Sequence, residues 1–100
     1  MMKPIQHGNR ATAFVRAASS TITVSARASD HLGSPSHVTV SMDGRRVRIA
    51  PCLPSELHAR VFKPSRGAAT RQVACLPLVR IMPSGRVPVS LVDGGLEFTL

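Results

Sequence analysis

The sequence predicts an all-β domain, a small five- to six-stranded antiparallel barrel or roll with one short helix between the third and fourth strands. Three observations predict it. Apolar and polar side chains alternate along several short runs, Val38-Thr39-Val40 and Val47-Arg48-Ile49 among them. Asp-Gly, the preferred corner of a two-residue hairpin, falls between such runs at Asp43-Gly44 and Asp93-Gly94. The one stretch with helical spacing is short and bracketed by Pro51, Pro54 and Pro64.

In chain order, residues 1–10 mix Pro4, Gly8 and Asn9 without apolar periodicity and read as a flexible basic arm, leaving residues 11–100 as a single β domain. Residues 11–18 suit a helical turn or the front of a strand, and the strand is the reading taken. Along residues 21–29, Ile22, Val24, Ala26 and Ala28 alternate and share one face of a strand. Next comes the clearest local signal. With Asp43 and Gly44 as a type I′ loop, which needs positive φ at both positions, Met42 faces Arg45, Val40 faces Val47 and Val38 faces Ile49. Thr39, Ser41, Arg46 and Arg48 then share the polar face, a sorting that a slip of one residue would destroy.

Residues 55–63 read as a two-turn helix, with Ser55 as cap and Leu57 and Val61 four apart. A polar loop around Gly67 leads to a second β block that carries Val73 and Cys75, breaks phase at Pro77 and continues through Val79 and Ile81. A turn over residues 82–86 would set Ile81 opposite Val87 and Val79 opposite Val89. The run 87–92 then folds back at Asp93-Gly94-Gly95, placing Leu91 opposite Leu96 or Phe98 according to loop length. Pro77 and Pro88 cannot donate to a ladder and belong at edges or bulges. A helix between the third and fourth strands of a small barrel resembles the order of OB-like folds.

Composition limits the chemistry. Five acids, no Trp, no Tyr and three Phe leave little for paired-carboxylate catalysis or for base-stacking platforms. Asp43 and Asp93 are turn residues, Glu56 suits a first helical turn, and Glu97 suits the solvent face of the last strand. The pairs Cys52 with His58 and His31 with His37 lack the close spacing that lets two ligands converge on a metal, so no metal and no cofactor are expected. Neither Gly-x-Ser-x-Gly nor a glycine-rich phosphate loop occurs, and the expectation is that the protein is not an enzyme.

Charge points elsewhere. Thirteen Lys and Arg against five acids give +8, which draws anionic partners. Arg45, Arg46 and Arg48 crowd one ribbon end, and Arg60, Lys63, Arg66 and Arg71 follow across the helix and its exit loop. Planar guanidinium forks match phosphate oxygens, so these seven residues form the candidate nucleic-acid-binding set. Two readings of function follow. The first is a small non-enzymatic protein that binds a polyanion such as nucleic acid through this Arg-rich hairpin and the adjoining segment. The alternative is a phage or viral accessory protein, structural or inhibitory, that works as an oligomer or on another protein through edge strands.

No apolar stretch approaches the roughly 20 residues of a membrane-spanning helix, and no apolar block follows Lys3 as in a secretory leader. A cytoplasmic protein is expected. Residues 1–29, free of acids and bearing Lys3, Arg10, Arg16 and Arg27, resemble a mitochondrial presequence in composition and supply the alternative location.

Overall fold

A computed structural model describes residues 13–65 and 70–100. The predicted arm and Arg66 lie outside the described residues. The fold is all-β, and every strand pair is antiparallel. The strands are β1 (Phe14–Ala18), β2 (Thr21–Val24), β3 (His37–Asp43), β4 (Arg46–Pro51), β5 (Arg60–Pro64), β6 (Arg71–Ala74), β7 (Arg86–Pro88), β8 (Ser90–Val92) and β9 (Gly95–Thr99). Among the described residues two short helices interrupt them, α1 (Ala26–Leu32) and α2 (Leu76–Val79).

One nine-stranded sheet runs β7-β1-β2-β6-β5-β3-β4-β9-β8. Its two terminal strands, β7 and β8, are consecutive in the chain with Val89 alone between them, so the sheet curls into a nearly closed barrel. Val89 donates its N–H to the Ala13 carbonyl at 3.1 Å, which ties this link to the start of β1.

Nine strands replace the expected five or six for three reasons. A tight turn at Ser19, where φ is +55°, splits the first β region into the β1–β2 hairpin, and Thr21 Oγ1 donates to the Ala18 carbonyl across it. The run 87–92 divides at Val89 into β7 and β8, where the chain stops pairing with β1 and begins pairing with β9. The expected helix over residues 55–63 is absent. Residues 54–58 form turns, with His58 at φ +70°, and residues 60–64 are β5. Leu57 and Val61 stand exposed, so the four-residue spacing never had a core to face.

Helices occur where strands were expected. The alternation over 21–29 stops at Val24, and Ser25 then caps α1 by accepting from the Ala28 N–H. Gly33, at φ +82°, ends the helix in the left-handed conformation that glycine adopts without steric cost. Residues 76–79 form α2, with Pro77 at its start, so the expected pairs Ile81–Val87 and Val79–Val89 do not form.

The central hairpin forms with its sorting intact and its register moved by one pair. Met42 faces Val47, Val40 faces Ile49, and Asp43 faces Arg46. The loop is thus Gly44-Arg45, with positive φ at Gly44 only, as a type II′ corner requires. A shift of two residues in the summed register keeps every side chain on its face, which is why alternation alone did not detect it. At the last hairpin Leu91 meets Leu96.

Inward-facing side chains of all parts of the ring fill one core, including Val15, Ile22, Val24, Val73 and Phe62 from one half and Val38, Val47, Ile49, Leu96 and Phe98 from the other. Each fully buried aliphatic or aromatic side chain contributes about 1.5–3 kcal/mol. The helices leave the sheet at opposite ends of β2, and each closes part of an opening with buried Leu32 or Leu78. Cys52 and Cys75 are free thiols. Among the described residues no helix is long and apolar enough to cross a membrane.

Candidate nucleic-acid interface

Of the seven basic residues marked by the sequence, the six that are described do not gather on one surface. Arg46 and Arg48 point outward from β4, as the alternation requires, but each has an acid beside it. Arg48 Nη1 donates to Glu97 Oε2 at 2.8 Å, and its Nη2 donates to the Asp93 carbonyl at 3.0 Å. Arg46 lies directly across the ladder from Asp43. Arg45, at the corner, donates from Nε to the Leu100 carbonyl at 2.9 Å.

Arg60 and Arg71 share strand parity with buried Phe62 and Val73, so they belong to the inner side at the barrel rim. Arg60 Nη1 donates to the Ala74 carbonyl at 2.8 Å, and the Arg71 guanidinium sits 5.9 Å from the centre of the Phe62 ring. Lys63 alone of this group is exposed on the outer face of β5. It lies three residues to one side of the Val38–Arg60 pair, while the partner of Arg48, Ser41, lies three residues to the other side. At about 3.3 Å per residue, roughly 20 Å of strand separates the two cations.

Lys63 has different neighbours. Across the outer face of five consecutive strands the register sets Arg86 opposite Arg16, Arg16 opposite Thr23, Thr23 opposite Gln72, and Gln72 opposite Lys63. This is one continuous row, β7-β1-β2-β6-β5, about 19 Å across at 4.8 Å per strand. Arg16, Lys63 and Arg86 are exposed along it. The sequence places them there because each alternates with a core residue: Arg16 with Val15, Lys63 with Phe62, and Arg86 with Val87.

No carboxylate accompanies them. The five acids are Asp30 on α1, Asp43 on β3, Glu56 in the loop after β4, Asp93 in the last turn and Glu97 on β9. The strands β1, β2, β5, β6 and β7 contain none. Arg16 and Arg86 are therefore like charges directly opposite one another, an arrangement that costs stability in an isolated sheet. The Arg86 guanidinium lies 4.4 Å from the centre of the Phe14 ring, a cation–π contact of about 0.5–1 kcal/mol that offsets part of the repulsion.

Arg16 and Arg86 are the functional candidates that linear reading missed. Seventy positions separate them, and only strand pairing makes them neighbours. A readable signal existed: residues 57–92 contain no acid. Among the described residues no group of three His, Cys, Asp or Glu side chains is placed to hold a metal ion. No family model, no curated protein and no solved structure matches this chain.

Proposed function

We propose that the protein is a non-enzymatic binder of nucleic acid that grips the phosphate backbone through the outer face of β7-β1-β2-β6-β5. One observation carries this reading: a five-strand row holding Arg86, Arg16 and Lys63 with no acid on any of its strands. Bound phosphates relieve the repulsion between Arg16 and Arg86, and the guanidinium forks engage phosphate oxygens in pairs. Thr23 and Gln72, between the cations, add neutral donors to phosphate or sugar. The sheet face is wider than the roughly 12 Å major groove, so it stays on the backbone and binds with little sequence preference. Arg45 and Arg46 supply a second, weaker contact. Free thiols at Cys52 and Cys75 support a cytoplasmic setting for this reading.

A salt titration with a fluorescent 20-base-pair duplex tests it. Each phosphate contact contributes about 0.9 to the slope of log K against log salt, so Arg16→Gln, Lys63→Gln and Arg86→Gln together lower the slope by about 2 to 3. The set Arg45→Gln, Arg46→Gln and Arg48→Gln lowers it by about 1 or less. An unchanged slope in the first set, or no binding by the native chain at 50 mM salt, defeats the proposal.

A second reading, contact with another protein as a phage or viral accessory factor, draws on one observation. Leu53, Leu57 and Val61 stand exposed along a short stretch, Leu57 at 82%. A sharp oligomer by light scattering that Leu57→Ser dissolves, together with absent duplex binding, selects this reading.

A further inference from the structure

The β3–β4 hairpin carries its apolar face past the end of the core. Met42, on the inner face opposite Val47, is 47% exposed, and Ile81, just after α2, is 54% exposed. Both line the same groove of about 350 Å³ between the hairpin and α2. Buried Val47, Cys75 and Leu78 form its floor. The groove stays open because α2 is a single turn of four residues, too short to cover the hairpin. Among the described residues Arg60 is its only charged lining residue, and no carboxylate lines it.

We propose that this groove binds a small carboxylate with an apolar tail, the tail lying on the Met42, Ile81 and Leu78 surface and the head held by Arg60. Mostly apolar walls with one fixed polar group are the usual make-up of a small-molecule site, and the volume lies at the lower end of that range. The guanidinium decides the head group. Arg60 spends Nη1 on the Ala74 carbonyl, which fixes the side chain and leaves part of its fork for a two-oxygen monoanion. A multiply charged phosphate needs more cations than the single one present. Arg60 sits at the rim and also borders a neighbouring groove that holds Lys63, but Arg16 and Arg86 line neither groove, so shifts centred on them report the outer-face row and not this site.

The test is an amide-resolved NMR titration of the full chain with octanoate, octan-1-ol and acetate. Octanoate moves the amides of residues 40–42, 47, 60 and 75–81 and saturates. Octan-1-ol binds the same amides about tenfold more weakly, the weight of one charge-assisted hydrogen bond, and acetate does not saturate in the same range. Arg60→Gln brings octanoate down to the octan-1-ol affinity and leaves octan-1-ol unchanged. Ile81→Ser, at an exposed position, weakens both tailed compounds. Equal affinity of the native chain for octanoate and octan-1-ol overturns the proposal, as do shifts centred on Arg16 and Arg86. Comparing the three compounds on the native chain decides the matter even where the Arg60 variant fails to fold.

Discussion

The two halves of the barrel treat charge in opposite ways. On β3-β4-β9-β8 the cations meet acids: Arg48 is paired with Glu97, and Arg46 faces Asp43. On β7-β1-β2-β6-β5 they meet one another, Arg16 against Arg86, and a neutral Thr23-Gln72 bridge leads to Lys63. Both halves use the same alternation and share one core, so folding does not require the difference. The cationic row carries a cost in repulsion that the anion proposed above would relieve, and the difference lies in where the carboxylates fall, not in how densely arginine is spaced along the sequence.

The comparison can be broken most forcefully at the core that both halves share. Phe62, 1% exposed on β5 where the halves join, is expected to cost about 3–5 kcal/mol when changed to Ala. Urea unfolding followed by circular dichroism and by NMR should show a single transition, and two separated transitions would mean the halves are independent. Gly95→Ala acts on the acid-bearing half alone. A Cβ there would stand 2.7 Å from the Ile49 carbonyl oxygen on β4, and the backbone shift needed costs about 1–3 kcal/mol, read as a lowered melting temperature.

Thr23→Glu sharpens the contrast by giving the basic row an acid opposite Arg16. Stability should move by no more than about 0.5 kcal/mol, since a favourable cross-strand pair replaces a neutral one, while the salt slope for duplex binding falls by about 1. On the other half Glu97→Gln removes the partner of Arg48. With the two side chains 39% and 29% exposed, the loss is about 0.2–1 kcal/mol and shrinks further in high salt. The smallest effect is at Cys52, where desolvation and then the Glu56 carboxylate push the thiol above its ordinary pKa. A raised pKa leaves less thiolate at any pH below it, so iodoacetamide should label Cys52 more slowly than a free thiol at pH 8. Glu56→Gln should speed the labelling about twofold.

Much of the barrel was legible because alternation is a local property. The apolar faces of the central and last hairpins follow from period-two patterning around a glycine corner, whereas that pattern left Leu96 and Phe98 equally open as the partner of Leu91. The exact corner was not legible, since Asp43-Gly44 and Gly44-Arg45 loops sort the faces identically. Helix α1 escaped because Ala26 and Ala28 continue the strand pattern, although Ser25 and Gly33 were in place as caps. The helix expected over residues 55–63 had spacing and a cap residue but no apolar surface to pack on. The candidate face was the least legible, because it depends on pairing β1 with β7 across most of the chain.

Val89 has a mechanical consequence. It is the one residue bridging the two rims of the sheet, each only three residues long and one carrying Pro88. While that clasp is short, the molecule offers no long ladder on which another chain could grow. Lengthening it by two or three glycines would leave the shared core in place but free the two short margins to part, an opening read as faster amide exchange over residues 86–92 than elsewhere in the ring.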